Sequence, residues 1–327
     1  MIKNKSILIT GAAGFIGSHL FETLIQENNY IVVIDNFNTY YAGKEEQFNE
    51  LTKNLEISKN YDLIKGDLLD RSVFKEIKCE IDFIFHLAAQ AGIRYSIEHA
   101  SEVTQNNVIS SLNIFEYASD YNVKKVICAS SSSVYGNPVY TPVDENHPKN
   151  PISPYGVSKL VGEIYADFYH REYDLSPTSL RFHTVYGPRG RPDMAIRKFF
   201  DLILQDKEIV IFGDGEQLRD FTYVSDIVNG LILAAESNKS SGEIFNLGAS
   251  NPITVNTLVN KMYEIAGSKT KRISYSEKKQ GDVEMTHSNI EKAKKMLNYS
   301  PKTNIDNGLR KTFEWQLKSF AESKKNK

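Results

Sequence analysis

Short apolar runs recur along the chain: Ser6 to Ile9, Ile31 to Ile34, Tyr61 to Lys65, Phe83 to Phe85, Lys125 to Ala129, Thr178 to Phe182 and Glu243 to Leu247. Most are separated by stretches of helical character, and that alternation predicts βαβ units and a mainly parallel, doubly wound sheet. The helix after Pro154 is the best marked, because Val157, Leu160, Val161, Ile164 and Phe168 return along one face. From about Gly187 the rhythm changes to more Pro, Gly and charge with several short strands, and a last helix is expected from Ile305 to about Ala321. This divides the chain into a first domain over 1–186, to which 222–248 returns through the strand-like "EIFNLG", and a smaller α/β domain built from 187–221 and 249–327.

A chain of 327 residues is long enough for one large α/β core with a smaller companion. Its formal net charge is only -2, and its basic residues are scattered, which gives no electrostatic footprint for nucleic acid. Any anionic ligand must then be met by local arginines. Cys79 and Cys128 lie far apart in or beside apolar stretches, so neither a disulfide framework nor a metal site is expected, and a reducing cytoplasm suits them. No signal-peptide pattern opens the chain, no apolar run is long enough to span a bilayer, and Ser323 to Lys327 reads as a disordered tail.

The first strand runs directly into "ILITGAAGFIGSHL", which sets Gly11, Gly14 and Gly17, with Phe15 and Ile16, at a strand-to-helix turn. Glycines there permit a tight turn, close approach to a pyrophosphate and close helix packing, while the free N–H groups of the helix start favour negative charge. The second strand ends in Asp35-Asn36, at the distance where a carboxylate receives both ribose hydroxyls and repels a 2′-phosphate, so NAD is expected rather than NADP. "KGDLLD" places Asp67 and Leu68 at the next strand end, where Asp67 serves either the adenine or a plain turn. Leu87, Ala88 and Ala89 of "FHLAAQAG" are expected beside the pyrophosphate.

Four serines, Ser130 to Ser133, follow the run Lys125 to Ala129 and read as a strand end rather than a linker. About two dozen residues later, Tyr155 and Lys159 lie one helical turn apart, which brings the ammonium to the phenol. A nearby positive charge lowers a phenol from its ordinary value of about 10, and oxidised nicotinamide adds a second. Other Tyr/Lys pairs share this spacing, so position in the fold is what distinguishes Tyr155. A serine hydroxyl at the strand end would bridge the phenol and a substrate hydroxyl.

In this order, TGAAGFIGSHL, DNF, FHLAAQAG, SSSSVYG, SPYGVSKLVGE, LRFHTVYGP, GDGEQLRDFTYVSDI and FNLG resemble the extended short-chain dehydrogenase/reductases, specifically the nucleotide-sugar epimerase and dehydratase branch, over nearly the whole chain. The resemblance implies a Rossmann-type sheet with a C-terminal α/β substrate-binding domain, bound NAD and a UDP-sugar substrate. It places the catalytic hydroxyl on Ser131, the base on Tyr155 and its partner on Lys159, with Asn107 near the cofactor. It also implies a homodimer through helices around Ser101 to Tyr121 and Pro154 to Tyr173.

The family's 4,6-dehydratases carry an Asp-Glu pair where this chain has Ser132-Ser133, which disfavours dehydration. "AAQAGIRYS" with Arg94 and "RFHTVYGPRGRPDMA" with Thr184 resemble the UDP-glucuronate 4-epimerases, although His183 departs from the usual aromatic. The implied reaction oxidises C4 of the sugar, turns the 4-keto sugar and reduces its other face. Ser132, Ser133 and Thr184, with Arg191 as a further candidate, would hold the uronate carboxylate. Arg191 and Arg219 would hold the diphosphate, and Asp282 would lie near the uridine ribose; surface ion pairing is the other role open to Arg94, Arg191 and Arg219. Rival readings are a UDP-glucose/UDP-N-acetylglucosamine 4-epimerase, a UDP-glucuronate decarboxylase, and a non-catalytic NAD-binding regulator.

Overall fold

The computed structural model of the protein describes residues 1–56, 59–278 and 285–325. Six strands form in chain order, β1 Ser6–Thr10, β2 Tyr30–Asp35, β3 Tyr61–Lys65, β4 Phe83–His86, β5 Lys125–Ser131 and β6 Ser176–Phe182. With Ile244–Leu247 they make one sheet, ordered Ile244–Leu247, β6, β5, β4, β1, β2, β3, with every neighbouring pair parallel. The strand from "EIFNLG" thus pairs with β6, Phe245 opposite Leu180.

The strands are apolar on both faces because helices cover both. In β1, Ile7 and Ile9 join one buried cluster and Leu8 the other, as the alternation of strand side chains requires. The cluster on the Ile7 side continues through Phe200, Leu258, Leu297 and Leu309, so the sheet and the C-terminal elements share one core. Chain connections leave β1 in opposite directions, to β2 and β3 on one side and β4 and β5 on the other, which opens a crevice at the carboxyl ends of the strands.

Helix Pro154–Tyr173 departs from the simplest reading of its pattern. Of the apolar stripe that marks it, Val157, Ile164 and Phe168 are exposed, while the buried residues are Gly156, Ser158, Glu163, Ala166 and Tyr169. Small and polar residues let this helix sit close to β5 and β6, leaving its apolar face outside. Beside it, the helical stretch 100–120 is interrupted by a π-helical segment, Gln105–Ile109.

The C-terminal part adds three two-stranded pairings, Val185–Tyr186 with Thr222–Tyr223, Leu218–Arg219 with Ile253–Thr254, and Ile209–Phe212 with Ile273–Ser276. Helices Ala195–Leu204, Val255–Ala266 and Ile305–Lys325 pack around them, the last running beyond the expected Ala321 into the segment read as a tail. Among the described residues no helix is long and apolar enough to cross a membrane.

Candidate active site

The crevice begins at the glycine turn. Gly11 has φ +74°, and a Cβ there would stand 2.7 Å from the Ala88 nitrogen, so the turn needs glycine for both reasons. A Cβ on Gly17 would meet the Gly11 carbonyl oxygen at 2.1 Å, which fixes how closely helix Phe15–Ile25 approaches β1. Gly14 caps that helix without a side-chain bond, leaving its first N–H groups facing the crevice.

Asp35 closes this end from β2. Its carboxylate accepts hydrogen bonds from the Ala13 and Phe37 N–H groups, both 2.9 Å, and so ties the end of β2 to the glycine turn. Burial pushes its pKa up, against those two N–H donors and the Lys44 charge. Gly11, Gly14, Phe15, Ile16, Gly17, Asp35, Asn36, Asp67, Leu68, Leu87, Ala88 and Ala89 all line the same cleft. Asp67 also forms a turn, accepting from the Leu69 N–H at 2.9 Å and from Asn36 at 3.1 Å.

Asn107 is buried and does not itself line the cleft, whereas its neighbour Asn106 and its partner Gln90 do. From the π-helical segment, Asn107 accepts from the Gln90 N–H (2.7 Å) and donates to the Gln90 carbonyl (3.1 Å) and to Ser158 Oγ (2.9 Å). It therefore joins the chain after β4 to the helix that carries Lys159. Local widening of a helix is a recurrent device at functional sites.

Tyr155 and Lys159 line the same cleft, opposite the glycine turn, together with Ala129 and Ser130 of β5. The Tyr155 phenol is pushed up by burial and drawn back by the Arg191 charge and by a hydrogen bond with the Ser131 side chain. Lys159 stands where its spacing suggests, its Nζ over the Tyr155 ring at 5.9 Å from the centre, and it donates to the Ala129 carbonyl at 2.8 Å. A second cation, Arg191, 36 positions away, draws the phenol down, and helical spacing cannot relate it to Tyr155. Burial pulls Lys159 down to about 8, with Cys128 and Glu163 opposing.

The serine run divides as expected at a strand end. Ser131 closes β5 and caps a short 3₁₀ turn, Ser132–Val134, its Oγ accepting from the Ser133 N–H and donating to Ser133 Oγ, both 3.1 Å. Arg191 grips Asp193 with two bonds, 3.0 and 2.7 Å, and Tyr40 donates to the same carboxylate at 3.3 Å. Arg191 also borders a second cavity with Thr184, Phe15 and Arg197. The Arg94 and Arg219 side chains are not among those lining either cavity: Arg94 is exposed and lies over the Phe212 ring, 5.4 Å from its centre, and Arg219 donates to the Leu218 carbonyl. His183 is buried with Nδ1 unpartnered, which nothing in the structure explains. Asp282 lies outside the described residues.

Asn38, Tyr40, Tyr41, Lys44 and Gln90 also line the cleft and were not expected. Lys44 sits over the Tyr41 ring, 4.8 Å from its centre, and donates to Asn38 Oδ1. The stretch "NTYYAGK" directly after Asp35 was the available signal, since segments following a strand's carboxyl end border this kind of crevice. The described residues hold no cluster of His, Cys, Asp and Glu able to bind a metal ion.

The geometry fits a dinucleotide. A cradle that tolerates no Cβ, free helix N–H groups and a pinned aspartate stand at one end, and a phenol with a cation and hydroxyls at the other. Comparison with known proteins agrees. A sequence profile described as GDP-mannose 4,6 dehydratase matches residues 8–312. UDP-glucuronate 4-epimerase of Thermodesulfobacterium geofontis is 38% identical over 96% of each chain. The structure of UDP-glucuronic acid 4-epimerase from Bacillus cereus, in complex with UDP-glucuronic acid and NAD, superposes with TM-score 0.88 at 33% identity, covering 96% of this chain and 99% of that one. UDP-N-acetylglucosamine 4-epimerase from Methanobrevibacter ruminantium, in complex with UDP-N-acetylmuramic acid, gives TM-score 0.88 at 33% identity over 97% of this chain and 100% of that one. The chain belongs to the extended short-chain dehydrogenase/reductases, in the family whose profile bears the GDP-mannose 4,6 dehydratase description.

Proposed function

We propose that the protein is an NAD-dependent UDP-sugar 4-epimerase that interconverts UDP-glucuronate and UDP-galacturonate. The observation that carries this reading is the meeting, in one cleft, of the glycine turn with a Tyr155 phenol flanked by Ser131 and Arg191. Gly11, Gly14, Gly17 and Asp35 hold NAD, which supplies a hydride acceptor and returns the hydride once reduced. Tyr155 takes the proton of the sugar 4-hydroxyl and later gives one back, and Ser131 aligns that hydroxyl with the phenol. Arg191 keeps the phenol acidic enough for the first of these steps. Lys159, fixed to Ala129, stands over the Tyr155 ring in the same cleft and serves as the partner of the phenol.

Oxidation at C4 of a uronate gives a β-keto acid, which loses carbon dioxide if its carboxylate stands perpendicular to the ketone. Hydroxyl donors from Ser132, Ser133 and Thr184 keep the carboxylate near the ring plane. Arg191, which lines the cleft, holds the diphosphate while the sugar turns, which gives it two tasks; Arg219, read for the same role, lines neither cavity. Ser132 and Ser133 bring no carboxylate for elimination of water, in keeping with an epimerase inside a family named for a dehydratase.

The same proposal divides the chain into the domains read from the sequence, places it in the cytoplasm and makes it a homodimer. Exposed Val157, Ile164 and Phe168 are the face offered to a second copy, with Ile97 and Ile109 beside them. Ile164→Asp with Phe168→Asp should halve the mass seen by sedimentation.

The functional test is to incubate the purified protein with UDP-glucuronate, follow the sugar by proton NMR and assay carbon dioxide. A mixture with UDP-galacturonate and no gas is expected. A UDP-pentose with gas would make the protein a decarboxylase, and turnover confined to UDP-glucose or UDP-N-acetylglucosamine would move the substrate. A 340 nm absorbance rising in proportion to turnover would overturn the redox-neutral scheme.

A further inference from the structure

Behind the cleft lies a polar cluster that the reaction scheme does not use. Glu163, one turn past Lys159, and Arg181 of β6 have side chains 3% and 0% exposed. Arg181 Nε and Nη2 donate to the two Glu163 oxygens at 2.8 and 2.7 Å, and its Nη1 donates to Tyr135 Oη at 2.8 Å and to the Glu145 carbonyl at 3.2 Å. Tyr135 donates onward to Asn246 at 2.7 Å. The Glu163 carboxylate accepts one further bond, from Ser130 Oγ.

Stability is a weak reason to keep such a pair, because apolar residues of similar volume often serve a buried position as well or better. An ion pair offers direction instead. This one joins the end of β5, the helix bearing Tyr155 and Lys159, and β6, which leads to Thr184. The helix is tied to β5 at two consecutive residues, Ala129 through Lys159 and Ser130 through Glu163. The residue after these is Ser131.

We propose that Glu163, clamped by Arg181, is a positioning residue that sets the register of Ser131 against Tyr155 through its bond to Ser130. The inference rests on the reading above, in which Ser131 and Tyr155 act together. A misplacement of order 1 Å costs a near-attack geometry up to about a hundredfold in rate. A loosened register should therefore appear in kcat, while the diphosphate contacts that govern KM stay in place.

The test compares wild type with Ser130→Ala, Ser130→Thr and the double variant Glu163→Leu/Arg181→Leu. Each is read by kcat, KM, thermal midpoint and hydrogen–deuterium exchange over 129–135. For Ser130→Ala the expected result is kcat down roughly tenfold, KM nearly unchanged, midpoint nearly unchanged and faster exchange at the strand end. Ser130→Thr should recover most of the rate, and the double variant should lose rate even though Ser130 is intact. Ser130→Ala with wild-type kcat and exchange would overturn the inference, as would a folded double variant with wild-type kcat. If the double variant does not fold, the two serine variants still decide. A wild-type protein that turns over no UDP-hexose or UDP-uronate would overturn the functional reading alone, and the exchange data would then settle the register by themselves.

Discussion

The two ends of the cleft are built on different plans. At the nucleotide end the determinants are backbone features packed into a short span: Gly11 at positive φ, Gly17 pressed against the Gly11 carbonyl, and Asp35 bonded to the Ala13 and Phe37 N–H groups. At the sugar end they are side chains gathered from distant segments, Ser131, Tyr155, Thr184 and Arg191, of which Arg191 borders both cavities. The first end is fixed by what cannot be added to it. The second is fixed by which charges and hydroxyls meet.

The sharpest break between the ends is Tyr155→Phe. It removes the proton acceptor and leaves the glycine turn untouched, so kcat should fall about 10³-fold while the amount of NAD retained on purification stays at the wild-type level. A variant that loses NAD as well would show that the ends are coupled more tightly than this division allows. Gly17→Ala is the converse, forcing a Cβ into the Gly11 carbonyl. Overpacking of this kind costs on the order of 1–3 kcal/mol. Retained NAD should drop, and the denaturant midpoint should fall with it.

This division also decides what was legible in the sequence. Strand positions and the glycine turn follow from local pattern, and all seven apolar runs lie in the sheet because each is a continuous β-branched or apolar stretch. Tyr155 and Ser131 were legible through motif and order along the chain. The local electrostatics were legible only in part. Helical spacing put Lys159 beside the phenol, where it lies over the ring, but disclosed neither its bond to the Ala129 carbonyl nor Arg191, which arrives from a loop that no periodicity connects to Tyr155. Likewise Asn107 carries its motif position but spends its bonds on Gln90 and Ser158, because the π-helical turn directs it inward. An apolar stripe marked helix Pro154–Tyr173 correctly and said nothing of whether the stripe faces the core or a second copy.

Arg191→Met sharpens the comparison by separating the two tasks of one arginine. Losing a diphosphate contact should weaken UDP binding about tenfold, or roughly 1.4 kcal/mol, as read by calorimetry. Removing the charge that draws the phenol down should raise the Tyr155 pKa. Because the reaction needs the deprotonated phenol, activity is lost below that pKa, so the acid limb of kcat should move to higher pH. An unchanged limb with weakened UDP binding would leave Arg191 as an anchor only.

The last prediction concerns stability at both ends. Burial disfavours the charged form of one group at each, raising Asp35 and lowering Lys159 to about 8. For Lys159, whose folded value lies below the ordinary 10.5, the stabilising contribution is complete above pH 10.5 and is lost as pH falls through about 8. At pH 7 the folded protein therefore holds an ammonium where water would hold it better, an expense that Lys159→Met removes. Compared by urea unfolding, wild type should gain on Lys159→Met by on the order of 2–3 kcal/mol between pH 7 and pH 10. The lost bond to Ala129 offsets the comparison equally at every pH and leaves this slope intact. Asp35 has the opposite sign, its contribution being present below the ordinary carboxylate value and lost as pH rises through the raised one. Parallel pH curves for wild type and Lys159→Met would mean that the ammonium is well solvated, and would leave Arg191 as the cation that distinguishes the sugar end from a simple rim of hydroxyls.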